Sequence, residues 1–86
     1  MASYSILLTR SAARELERVP SKDRQRIVTR IGLLADNPRP VGVEKLSGDE
    51  KYRIRQGDYR ILYEIVDDRL VVTVVRIGNR REVYRR

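Results

Sequence analysis

Tyr4, Ile6 and Leu8 alternate with Ser5, Leu7 and Thr9, a period of two that predicts a short strand. The period then lengthens. Thr9 or Ser11 can cap a helix whose Ala12 or Ala13, Leu16 and Val19 share one face, and Pro20 stops it. Ser21 reads as a fresh N-cap, and Ile27, Ile31, Leu34 and Ala35 follow at helical spacing until Asn37-Pro38-Arg39-Pro40 ends the second helix. The short join predicts a helical hairpin.

Residues 41 to 50, VGVEKLSGDE, show no period and are expected to form a loop leading to the sheet. After it, KYRIRQGDYRILYEIVDDRLVVTVVRI holds three strand-like runs, divided by Gln56-Gly57-Asp58 and by Asp67-Asp68. Short connections join antiparallel neighbours, so these runs predict a meander. Leu70 to Ile77 is apolar on both faces and is expected in the sheet interior. The order is strand, two-helix hairpin, then a three-stranded antiparallel meander, an α+β fold with one mostly antiparallel sheet.

Alternation also assigns faces. Tyr52 and Ile54 point one way and Arg53 and Arg55 the other. Across the turn, Tyr59, Ile61, Tyr63 and Ile65 continue the helix-covered face, leaving Arg60, Leu62 and Glu64 on the open one. Arg53, Arg55 and Arg60 are thereby expected to cluster, with Asp58 and Glu64 near enough in sequence to offset some of their charge. Gly78-Asn79 is expected to turn or bulge and carry Arg80 and Tyr84 back toward this cluster. Guanidinium forks bind phosphate oxygens bidentately, and a phenol can stack on a base or exchange a proton, so such a surface suits a phosphodiester.

Charge supports this picture. Nineteen Lys and Arg face 12 Asp and Glu, a formal charge of +7, and five of the arginines lie in the last eleven residues beside a single glutamate. Polyanions are the partners such a balance favours. The chain has no cysteine and no histidine, which excludes disulfides, thiolate catalysis and the usual zinc or imidazole chemistry. At 86 residues it is read as one domain, 1–86. Charge enters at Arg10, Arg14 and Glu15 too early for a signal peptide, and LVVTVV is too short to span a bilayer, so a cytoplasmic setting without membrane association is expected.

From Tyr4 through the hairpin, the Lys45-Leu46-Ser47-Gly48 stretch, YRIRQGDYRILYEI at Tyr52 to Ile65 and the closing IGNRREVY at Ile77 to Tyr84, the sequence resembles the RelE toxins of the RelE/ParE toxin–antitoxin superfamily. The resemblance implies a RelE-like fold and an mRNA interferase, an endoribonuclease that cuts mRNA in the ribosomal A site without a metal or other cofactor. It implies attack by the 2'-OH upstream of the cut on the adjacent phosphate. Carried over position by position, the implied catalytic set is Arg53, Arg55, Arg60, Arg80 and Tyr84, and Lys45, Lys51, Arg76, Asn79, Arg81, Arg85 and Arg86 are candidates to hold RNA. Some relatives carry lysine where Arg53 and Arg55 stand, and many carry histidine or lysine in place of Asn79. Arginine cannot act as a base, which turns the expectation toward Tyr84 or a ribosomal group. The implied partners are the ribosome with its mRNA and an acidic antitoxin that neutralises the toxin and links it to operator DNA. Two other readings are a non-enzymatic gyrase inhibitor of the ParE type and a non-catalytic nucleic-acid-binding or co-repressor module.

Overall fold

Thr9 sets where the first helix starts: its backbone is extended and its side-chain oxygen accepts the Ala12 N–H at 3.1 Å. In the computed structural model, which describes residues 3–46 and 50–79, the elements are β1 (Ser5–Leu8), α1 (Arg10–Glu17), α2 (Ser21–Leu33), β2 (Glu44–Lys45), β3 (Lys51–Gln56), β4 (Tyr59–Val66) and β5 (Val71–Asn79). A single 3-10 turn, Asp67–Arg69, joins β4 to β5. Ser21 is the first helical residue of α2 and not its cap. Pro20 holds the cap position, with extended backbone and a carbonyl that accepts the Arg24 N–H at 2.8 Å. The Arg24 side chain reaches back to the carbonyls of Glu17 and Val19, which ties the two helices together at their join.

The five strands run in the order β1-β5-β4-β3-β2, with β1 parallel to β5 and every other pair antiparallel. The expected meander is β3-β4-β5, and β5 lies inside the sheet, between β1 and β4. Gly57, at φ 60, opens the two-residue turn between β3 and β4. The loop expected at 41 to 50 contains one further strand, β2, whose two residues pair with Tyr52 and Arg53.

Both helices cover one face of the sheet. Ala12, Val19, Ile27, Ile31 and Leu34 meet Tyr52, Ile54, Ile61, Tyr63, Ile65, Val72, Val74 and Ile77, all of them buried. Removing a large aliphatic or aromatic side chain of this kind from water stabilises the fold by about 1.5–3 kcal/mol. The core positions of β5 change parity partway: Val72 and Val74 point inward, and then Ile77 does. Leu62 pairs with Arg76 while Tyr63 pairs with Val74, so Val75 is an extra residue, a β-bulge. It falls earlier than the expected irregularity at Gly78-Asn79. Those two residues continue the strand, opposite Arg60 and Tyr59.

A polar network locks the segment after α2 onto the sheet. The Arg39 guanidinium donates to Tyr52 Oη, to Glu50 and to both oxygens of Asp67, and lies 5.2 Å from the centre of the Tyr52 ring. Tyr4 Oη donates to the same Asp67 at 2.7 Å, and buried Tyr63 donates to the Pro38 carbonyl at 2.6 Å. Among the described residues no helix is long and apolar enough to cross a membrane.

Candidate functional site

Register builds the open face in rows. Residues directly opposite one another in antiparallel strands share a face, with Cβ atoms about 4.5–5.5 Å apart. One row reads Glu44, Arg53, Leu62, Arg76, and the next reads Arg55, Arg60, Gly78. The structure therefore brings Arg53, Arg55 and Arg60 together, with Arg55 and Arg60 as direct cross-strand partners. Like charges placed so cost stability unless an opposite charge lies close.

That charge is Glu44, on β2. Its Oε1 accepts from Arg53 Nε at 2.9 Å and lies 2.8 Å from Arg53 Nη2. The hydrogen bond from Arg53 holds the Glu44 carboxyl below the usual carboxylate range, and the charges of Arg53, Arg55 and Arg60 add to the effect. Nearness in sequence pointed to Asp58 and Glu64 for this part, but Glu64 pairs with Lys51 at 3.9 Å. Glu44 could have been found only by recognising β2, since its place beside Arg53 comes from strand pairing.

Arg60 differs from its expected setting. It is on the predicted face, but it is 4% exposed where an open face suggested a solvated side chain. A guanidinium held out of water gains electrostatic strength toward any anion that reaches it.

The other candidates divide. Lys51 is exposed on the open face, one row along from Arg53. Lys45 is opposite Tyr52, on the helix-covered side, and pairs with Glu50 at 3.2 Å, apart from the arginine rows. Arg76 is in the Glu44–Arg53 row, and its Nε donates to Glu15 Oε2 at 2.9 Å. Asn79 ends β5 opposite Tyr59. Arg80, Arg81, Tyr84, Arg85 and Arg86 lie outside the described residues.

Glu15 is a second residue that the sequence did not single out. β1 pairs with β5 only as far as Val74, after which Thr9 caps the edge, its N–H donating to the Val74 carbonyl and its hydroxyl to that of Val75. Beyond Thr9 the Glu15 carboxylate takes over, accepting the Ile77 N–H at 2.8 Å while it holds Arg76. One side chain thus completes the edge of the strand and fixes a guanidinium. Glu15, Arg18, Tyr59, Arg76 and Asn79 line a cavity of about 340 Å³ at this end of β5. The arrangement offers fixed guanidiniums on two sides of the segment that leads to Arg80, a geometry suited to binding phosphate oxygens.

Comparison with known proteins bears on the family and the fold. The family model described as ParE toxin of type II toxin–antitoxin system, parDE, matches residues 6–84. The chain is 35% identical over 85 residues to toxin RelE of Mycobacterium tuberculosis, covering 95% of this chain and 87% of that one. It is 28% identical over 87 residues to the mRNA interferase toxin RelE of Escherichia coli K12, covering 95% and 90%. Among solved structures, the toxin–antitoxin complex RelBE2 of M. tuberculosis aligns with a TM-score of 0.80 at 27% identity, over 92% of this chain and 93% of that one.

Proposed function

This chain belongs to the RelE/ParE family of type II toxin–antitoxin toxins, and we propose that it is a ribosome-dependent mRNA interferase that cuts mRNA in the A site. The observation that carries the reading is the cross-strand set of Arg53, Arg55 and buried Arg60, with Glu44 paired to Arg53. The naming of the E. coli relative as an mRNA interferase supports it.

In the proposed reaction the 2'-OH of the nucleotide upstream of the cut attacks the adjacent phosphorus. The bond to the leaving 5'-oxygen breaks, giving a 2',3'-cyclic phosphate and a 5'-OH. Because the nucleophile belongs to the substrate, the protein's task is to align it and to stabilise the charge that develops on the phosphoryl oxygens. Arg60 and Arg80 serve that second purpose, and Arg53 and Arg55 hold the flanking backbone. Tyr84 stacks on a base or carries the proton. An incoming phosphate competes with Glu44 for Arg53, so the carboxylate offsets part of the charge until RNA arrives. The cognate antitoxin, acidic where this surface is basic, silences the toxin by covering it. A ParE-type protein that acts only by binding another protein has no need of this arginine arrangement.

The experiment is a reconstituted translation reaction with mRNA ends mapped by primer extension, comparing wild type with Arg80→Ala and Tyr84→Phe. Cuts inside the A-site codon that require ribosomes and fade in both variants are the expected result. Intact mRNA with the wild-type protein would overturn the reading.

A further inference from the structure

We infer that Glu44 is a selectivity residue: it occupies the edge of Arg53 that would grip a phosphate, and so keeps free single-stranded RNA off this surface while a message already held in place displaces it. The selectivity rests on the ribosome-dependent reading above. Arg53 turns its Nε and Nη2 edge toward Glu44, and a single carboxylate oxygen, Oε1, meets the two nitrogens at 2.9 and 2.8 Å. That edge is a fork with which a guanidinium takes two phosphate oxygens. A phosphate reaches it only by displacing Glu44.

The carboxylate is placed to yield. Strand β2 is the outermost of the sheet and two residues long, and the Glu44 side chain is 48% exposed against 18% for Arg53. An exposed ion pair is weak and is screened by salt. At the other end of the same row Glu15 also holds an arginine, Arg76, but it is 25% exposed and accepts the Ile77 N–H as well, which fixes it. Of these two carboxylates Glu44 is the one that can swing out. It carries its charge near neutrality, since the hydrogen bond from Arg53, with the charges of Arg53, Arg55 and Arg60, holds its carboxyl below the usual range. Its repulsion therefore reaches any phosphate that approaches those three guanidiniums. The penalty is the same for every RNA, but its effect is not. A short free strand has only its own phosphate contacts to offset it, whereas a message fixed beside the protein presents its phosphate at high effective concentration.

The test measures binding of a short single-stranded RNA to wild type, Glu44→Gln, Glu44→Asp and Glu17→Gln over a salt series. Glu17 is exposed on α1, on the far side of the sheet, and its replacement changes net charge by the same amount. Glu44→Gln should bind about tenfold tighter, with a salt slope steeper by about 0.7, as one added phosphate contact on a single strand requires. Glu44→Asp keeps the charge and should stay nearer the wild type, and Glu17→Gln should change affinity less than twofold. On ribosomes carrying a message and an empty A site the gain from Glu44→Gln should be smaller, so that the preference for the ribosome narrows. An equal gain in Glu44→Gln and Glu17→Gln would reduce the effect to net charge and overturn the inference. So would an equal gain in the Gln and Asp variants, or weaker binding by Glu44→Gln, which would leave the carboxylate only the task of holding Arg53 in place. A gain on ribosomes as large as that on free RNA would overturn the selectivity. Wild-type protein that leaves mRNA intact on ribosomes would overturn the ribonuclease reading and the selectivity with it, while the free-RNA comparison would still decide whether Glu44 guards Arg53.

Discussion

Glu15 and Ile77 are 62 positions apart in the sequence, yet the carboxylate of the first accepts the backbone N–H of the second at 2.8 Å. The contact ends the exposed edge of β5 just where the strand leads toward Arg80, and the same carboxylate fixes Arg76. Helix α1 thereby positions the last described strand of the candidate site.

Replacing Glu15 by Ala should leave a partly buried N–H without its acceptor and release Arg76. A cost of about 1–3 kcal/mol is expected. Glu15→Gln keeps one acceptor oxygen and should cost less. Urea denaturation of both variants measures the difference, and equal stability of Ala and wild type would refute the role given to the carboxylate.

Arg60 should behave in the opposite sense. Arg60→Met keeps the aliphatic stem and removes one of two like charges paired across β3 and β4, so the thermal midpoint should hold or rise. Cleavage in the reconstituted translation assay should fall by roughly 10²–10³-fold, the usual effect of losing a preorganised donor to a developing oxyanion. A variant that stays fully active would remove Arg60 from the mechanism.

Tyr63 ties alkaline stability to one hydroxyl. Burial, with a smaller contribution from neighbouring Tyr52, pushes its pKa from 10.0 to about 12. The folded state holds this proton more tightly than the unfolded chain. The corresponding stabilisation is complete below the unfolded value, near pH 10, and is lost as pH rises toward 12. Tyr63→Phe should lose about 1–3 kcal/mol near neutrality, because the Pro38 carbonyl loses its donor. It should also show a shallower decline between pH 10 and 12. Parallel alkaline curves for the two proteins would count against this assignment.

At the acidic end, Asp67 and Glu50 are held below the usual carboxylate range, Asp67 chiefly by its hydrogen bond from Arg39 and Glu50 chiefly by those from Tyr52, Lys45 and Arg39. Their contribution is full above the unfolded carboxylate values and fades as pH falls through the lowered folded ones. Arg39→Ala should lower the denaturation midpoint near neutrality, and the gap from wild type should narrow below about pH 4. A gap that does not change with pH would show that Arg39 acts by packing on Tyr52 alone.

Much of the fold was legible because its determinants are local. Ile27 and Ile31 mark the buried stripe of α2, and Tyr52, Ile54, Ile61 and Tyr63 mark one face of two strands, so Arg53, Arg55 and Arg60 followed onto the other. What was not legible depends on partners distant in sequence. Strand β2 is only Glu44 and Lys45, too short for alternation to register, and with it went the carboxylate that balances Arg53 and the true face of Lys45. The bulge at Val75 is hidden inside an apolar run, where an added residue changes parity without changing the pattern. The burial of Arg60 reflects what surrounds it in space, which period-two alternation does not encode.

The sheet order has a consequence for synthesis. Strand β5 lies between β1 and β4, so β1 has no strand to pair with until the chain has been made through β5. Contacts spanning so much sequence form late, after the cost of closing a long loop has been met. A nascent chain still short of Val71 can build the helical hairpin and the β3–β4 turn but cannot close the sheet. Products that end before Val71 therefore carry Arg53, Arg55 and Arg60 on a β3–β4 pair but lack Arg76 and the strand edge that Glu15 completes.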